Sequence, residues 1–125
     1  MAEKIYTENA PAAIGPYSQA VKANGVVYTS GQIAIVPATG NIEAKDVAGQ
    51  TEQVMKNLQE VLKASGASFS DVVKTTCFLA DIADFGKFNE VYGKYIEEKP
   101  ARSCVAVKDL PKGALVEVEV IAEID

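Results

Sequence analysis

Histidine is absent from all 125 residues, and so is tryptophan. Without an imidazole there is no histidine general base, no Ser–His or Cys–His dyad and no histidine metal site. Cysteine is scarce: Cys77 and Cys104 are too few for a cysteine-only zinc centre. Each falls in a strand-like stretch, which suits buried reduced thiols better than a disulfide framework. No apolar run approaches the ~20 residues that a membrane span needs, so no membrane partner is expected. The opening Met-Ala-Glu-Lys-Ile-Tyr lacks a basic-then-apolar signal pattern, and a cytoplasmic location is the expectation. Basic clusters are missing as well. The 12 Lys and Arg are scattered among 17 Asp and Glu, for a net charge of −5. Isolated cations do not track a phosphate backbone, which argues against a nucleic-acid partner. Any catalysis falls to carboxylates, Tyr, Arg, Cys, backbone groups or water.

What the chain does contain is regular periodicity over one domain, residues 1–125. Apolar Val47, Val54, Met55, Leu58, Val61 and Leu62 recur at helical spacing and predict a helix over 46–64, with Asp46 as N-cap and Gly66 as its left-handed stop. A second helix over 85–96 carries Phe85, Phe88, Val91, Tyr92, Tyr95 and Ile96 on one stripe, capped by Asp81 or Asp84. Strands are predicted over 18–23, 26–34, 72–79, 101–107 and 115–124. Asn24-Gly25 joins the first two as a type I′ hairpin. The order β-hairpin, α, β, α, β, β describes an α+β domain with one mostly antiparallel sheet. Two helices cover only one face of such a sheet. The other face, expected to hold Tyr28, Ser30, Ala34, Arg102, Cys104, Ala106 and Ile121, is apolar enough to seek a second copy of the chain.

Two strands carry the residues of most chemical interest. Over 101–107, Arg102, Cys104 and Ala106 alternate with Ala101, Ser103, Val105 and Val107. Over 116–124, Glu117, Glu119 and Ile121 oppose an aliphatic row. If the short connection 108–114 makes these strands antiparallel neighbours, a guanidinium and a carboxylate share one surface of the sheet. A fixed cation beside a fixed acid can hold a small carboxylate and move a proton on it. The same pattern also suits an ordinary surface ion pair. Gly31, in mid-strand, marks a bulge or a close approach of the backbone to something else. Asn89, among helix apolars, reads as an exposed polar position.

The fragments Ile14-Gly15-Pro16-Tyr17-Ser18, Tyr28-Thr29-Ser30-Gly31-Gln32, Val73-Lys74-Thr75-Thr76, Phe88-Asn89 and Pro100-Ala101-Arg102-Ser103-Cys104 occur in that order. Glu117-Val118-Glu119 follows, with Ile121-Ala122 behind it. Together they resemble the RidA/YjgF family over essentially the whole chain. The resemblance implies a chorismate-mutase-like fold and a homotrimer. It also implies cofactor-free hydrolysis of 2-imino acids, such as 2-iminobutanoate and 2-iminopropanoate, to 2-oxo acids and ammonia in clefts between subunits. Carried over to this sequence, Arg102 is the carboxylate clamp and Glu119 the water-positioning acid/base. Cys104 lends its backbone carbonyl within the Arg102-Ser103-Cys104 binding segment, and Tyr17, Ser30, Gly31 and Asn89 wall the cleft. The choice of Glu119 over Glu117 rests on the carry-over alone, since both share a face. One departure is the short Glu97-Glu98-Lys99 loop before Pro100, which bears on the side-chain pocket.

The chemistry fits these residue types on its own terms. Arginine grips a carboxylate with two parallel hydrogen bonds, which lysine does not reproduce. Imines hydrolyse in water unaided, so a site need only orient a water and pass its proton to the leaving nitrogen. The rival reading is a non-catalytic trimer that binds a small carboxylate metabolite, which needs Arg102 but not the acid. A nuclease, an activity attributed to some relatives, is disfavoured by the missing histidine and basic patch.

Overall fold

The computed structural model describes residues 2–124. Its strands are β1 (Glu3–Ile5), β2 (Ala20–Ala23), β3 (Val26–Thr29), β4 (Ile35–Val36), β5 (Asn41–Ile42), β6 (Val72–Leu79), β7 (Ala101–Ala106) and β8 (Val116–Glu123). Two helices, α1 (Val47–Ala64) and α2 (Phe85–Tyr95), pack on one face of a six-stranded sheet ordered β1-β2-β3-β8-β6-β7. All its pairings are antiparallel except β6 with β7. The α+β expectation holds. β1 and the small β4–β5 hairpin are additions too short to leave a pattern in the sequence. Among the described residues no helix is long and apolar enough to cross a membrane.

Local chemistry explains the helix ends. Asp46 caps α1 by accepting from the Gly49 N–H at 2.8 Å. A Cβ at position 49 would stand 2.8 Å from that same carboxylate oxygen, so glycine there leaves room for the cap. At the other end Gly66 takes φ +84, and the Ala67 N–H donates to the Leu62 carbonyl at 2.8 Å, closing the left-handed stop. Asp81 caps a short 3-10 turn ahead of α2 through the Ala83 N–H, whereas Asp84 makes no side-chain cap bond. Asn24 (φ 52) and Gly25 (φ 76) form the expected hairpin turn between β2 and β3.

The core lies between the helices and the sheet face formed by Val116, Val118, Val120 and Ala122 of β8 with Cys77 and Leu79 of β6. Buried amides tie the loops to it. The Gln19 side chain, only 2% exposed, accepts from the Thr7 N–H at 2.7 Å and donates to the Pro11 carbonyl at 2.8 Å, holding the N-terminal segment down. Asn57 of α1 donates to the carbonyls of Ile33 and Ile35, and Gln50 accepts from the Leu115 N–H.

Two expectations are overturned here. First, β7 and β8 are not neighbours, because β6 runs between them and pairs with both. Second, Arg102, Cys104 and Ala106 do not lie on the open face. Their register partners are Thr75, Cys77 and Leu79, which are core residues, and so they share the helix side of the sheet. Glu119 pairs with Thr76, and Glu117 with Phe78, on the other side. Arg102 and Glu119 of one chain therefore stand on opposite faces. Ala34 is fully buried rather than open. The open face does keep its apolar character, with Val21, Tyr28 and Ile121 in one row and Phe78 and Val105 in another.

Candidate active site

The site divides into two halves. On the helix side, the Arg102 side chain leaves edge strand β7 and crosses towards α2. Its Nη1 donates to the Asn89 amide oxygen at 2.7 Å. The guanidinium carbon stands 5.0 Å from the centre of the Tyr92 ring and 5.4 Å from that of Phe85. These distances are within cation–π range. Among the described residues the side-chain hydrogen-bond partner of Arg102 is thus a neutral amide. A cavity of about 520 Å³ opens beside it, lined by Asn89, Tyr92, Gly93, Ile96, Glu97, Lys99, Pro100 and Arg102. The short loop before Pro100 is one wall of this cavity. Asn89, read from sequence as an exposed polar position, is half-buried and holds the arginine.

On the opposite side lies a groove of about 690 Å³ whose lining includes Tyr17, Ser30, Gly31, Lys112, Glu117 and Glu119. A bulge shapes it. Tyr28 pairs with Ile121 and Gln32 with Val118, so four steps along one strand match three along β8. The extra residue detaches Ser30 and Gly31 from the ladder, and the Thr29 hydroxyl accepts the Val120 N–H in its place at 2.9 Å. The strand expected over 26–34 accordingly ends at Thr29. Ser30 is tied back through its hydroxyl to the Ser18 carbonyl at 2.6 Å. Gly31 is needed for space: a Cβ there would overlap the Glu117 carboxylate and approach its Cδ to 2.8 Å.

Glu117 is the perturbed acid of the groove. Burial, and then the neighbouring charge of Glu119, hold its carboxyl above the usual carboxylate range. Tyr17 and Ile14 stand out from the groove wall, more than half exposed. Cys104 lies on the helix side opposite Cys77 in register, and burial raises both thiols, Cys77 to about 12. Neither is an activated nucleophile. Ser103 projects to the open face, in a row with Thr76 and Glu119 and away from the Arg102 side chain. Among the described residues no cluster of three His, Cys, Asp or Glu could hold a metal ion.

The structure thus gathers Tyr17, Ser30, Gly31 and Glu119 in one groove and Arg102 with Asn89 in another, and it does not join the two within one chain. Sequence reasoning missed the support of Arg102 by Phe85 and Tyr92, which read there as apolar stripe. A signal was present in Thr75, a polar residue on the core face of β6.

A family model described as Endoribonuclease L-PSP matches residues 7–124. The chain belongs to the YjgF/RidA family. It is 54% identical over 121 residues to the chloroplastic Reactive Intermediate Deaminase A of Arabidopsis thaliana, covering 96% of this chain and 65% of that protein. It is 49% identical over 119 residues to the mouse 2-iminobutanoate/2-iminopropanoate deaminase, covering 94% of this chain and 88% of that one. The crystal structure of E. coli TdcF with bound serine superposes with a TM-score of 0.93 at 42% identity, covering 98% of this chain and 99% of that chain. The YjgF/RidA family includes a protein named for the chloroplast, so membership does not fix a compartment.

Proposed function

We propose that the protein is a cofactor-free deaminase that hydrolyses small 2-imino acids, with 2-iminobutanoate and 2-iminopropanoate as substrates, in clefts between the subunits of a homotrimer. The observation that carries this reading is the division of the site. One copy offers a guanidinium that pairs with no carboxylate among the described residues on one face and an acid pair on the other, and the apolar open face favours a neighbouring copy. Cation of one copy against acid of the next completes a site. The deaminase names of relatives near 50% identity support the reaction, and serine bound to TdcF supports a small amino-acid-like ligand.

In this reading Arg102 grips the substrate carboxylate and Asn89 keeps the guanidinium aimed. Proton transfer goes to Glu117 rather than to Glu119. Glu117 is the acid with the raised pKa and the one for which Gly31 makes room. An acid tuned upward towards neutrality serves both directions of transfer. Glu117 takes a proton from water as the oxygen adds to the carbon of the protonated imine, and returns it to the nitrogen of the carbinolamine so formed. It then takes the carbinolamine hydroxyl proton as the C–N bond breaks and the C=O bond forms, passing that proton on to solvent. Ammonia and the 2-oxo acid leave. Glu119 sustains the raised pKa by its charge. The thiols take no covalent part, and Cys104 contributes through its backbone.

The test is a coupled assay. Threonine dehydratase generates 2-iminobutanoate in place, and 2-oxobutanoate formation is followed with and without the protein. Acceleration that disappears in Arg102→Ala supports the enzyme. Tight 2-oxobutanoate binding with no acceleration would instead favour the carboxylate-binding reading.

A further inference from the structure

We propose that Thr75 and Tyr92 are positioning residues for Arg102, a hydroxyl pair that fixes the aromatic shelf on which the guanidinium rests. The inference rests on the reading of Arg102 as the carboxylate clamp. Thr75 is fully buried, an uncommon place for a hydroxyl, and it is the direct register partner of Arg102 across β6 and β7. Its Oγ1 lies 2.8 Å from the Tyr92 hydroxyl. Tyr92 itself is only 7% exposed. The ring therefore spans from helix α2 to strand β6, anchored at its backbone on one side and by its hydroxyl on the other. Arg102 starts from the strand position beside that anchor and lies across the ring, with the guanidinium carbon 5.0 Å from its centre. Phe88 packs against the same ring, with centroids 5.3 Å apart.

The physical argument is one of fixed geometry. A long arginine side chain in an open cavity samples many rotamers, and ordering it on binding weakens affinity. Asn89 fixes one nitrogen, while the Tyr92 ring fixes where the guanidinium carbon rests. Without the Thr75 hydroxyl, the Tyr92 hydroxyl is buried without its partner and is driven to turn towards water. The ring would then leave the position on which the guanidinium rests. Nothing in this chain touches the reacting atoms through Thr75, so its effect should fall on carboxylate binding rather than on proton transfer.

The test compares Thr75→Val, Thr75→Ser, Tyr92→Phe and Arg102→Ala in two measurements: imine hydrolysis in the dehydratase-coupled assay, and 2-oxobutanoate binding by calorimetry. Thr75→Val should raise KM and weaken 2-oxobutanoate binding together, by about fivefold to tenfold as the loss of a held cation–π contact implies, with kcat changed by less than about twofold. Thr75→Ser, which keeps the hydroxyl, should restore both. Should Thr75→Val not fold, Tyr92→Phe decides: it keeps the ring, removes the other end of the same hydrogen bond, and should shift KM in the same direction. Parental KM and binding in folded Thr75→Val or Tyr92→Phe, while Arg102→Ala loses both, would overturn the positioning role and leave the clamp standing. A loss confined to kcat or to thermal stability would overturn it too. Parental binding in Arg102→Ala would overturn the clamp reading and this inference with it.

Discussion

Two inactive variants of this protein should make an active one when mixed. Arg102→Ala removes the cation half of the site and keeps Glu117, while Glu117→Gln does the reverse. Each alone should lose at least ~10²-fold in kcat/KM. The arginine grip comprises two charge-assisted hydrogen bonds of roughly 1.5–3 kcal/mol each, and loss of a proton carrier lowers kcat by ~10²–10⁴-fold. The sheet separates the two groups within a chain, so under the proposed function a cleft would take its acid from one subunit and its arginine from the next. When subunits assort at random from an equal mixture, about half the clefts draw their acid from an Arg102→Ala chain. About half of those draw their arginine from a Glu117→Gln chain, so about one quarter of clefts are intact. The two variants are co-expressed with different tags, mixed oligomers are isolated, and 2-oxobutanoate formation is measured in the coupled assay. Recovery to about a quarter of parental activity before tag selection is expected. Activity that stays at the level of either parent variant would refute the shared cleft, as would a monomer mass by light scattering.

Three further outcomes follow from the same geometry. Gly31→Ala should fold but lose about 10²-fold in kcat, because the new methyl group displaces the Glu117 carboxylate by about an ångström; kcat and circular dichroism measured together check this. Glu117→Gln should be more stable than the parent at neutral pH and equal to it in acid. The folded-state pKa of Glu117 lies above its ordinary 4.5, so the folded chain holds the proton more tightly and loses stability as pH rises through that range. Melting curves from pH 4 to 8 on both forms show whether the gap opens with pH, and a gap that closes instead would contradict the raised pKa. Cys104→Ser should retain a substantial fraction of parental activity, and a covalent substrate adduct seen by mass spectrometry would overturn the backbone role assigned to this position.

Local features were open to sequence reasoning because their causes are local. The Asp46 cap, the Gly66 stop, the Asn24-Gly25 turn and the alternation of β6 and β8 each depend on a few neighbouring residues. The error over Arg102 and Glu119 has a different origin. Alternation tells which residues of one strand share a face, but it does not relate the faces of two strands. That relation depended on β6, which enters between β7 and β8 from much earlier in the chain. The bulge at Ser30-Gly31 was visible as a glycine in mid-strand, whereas its cause, the Glu117 carboxylate from a distant strand, was not. Asn89 looked exposed because a helix stripe does not reveal an arginine arriving from a neighbouring strand.

The position of β8 has a consequence for how the protein is made. The ribosome delivers this strand after every other described element, yet it belongs in the middle of the sheet, between β3 and β6. Until it arrives, β1-β2-β3 and β6-β7 are two separate ribbons, each with an unpaired inner edge open to other chains. Folding cannot finish vectorially from the N-terminus. It must wait for the segment that carries Glu117 and close the sheet around it. The Arg102 half is different, since Thr75, Asn89, Tyr92 and Arg102 all come from one contiguous stretch of strand, helix and strand. A nascent chain is therefore equipped to assemble its cation platform early and acquires its acid only in the step that completes the fold. A nonsense change just before Val116 would leave behind two sticky half-sheets rather than a smaller folded domain.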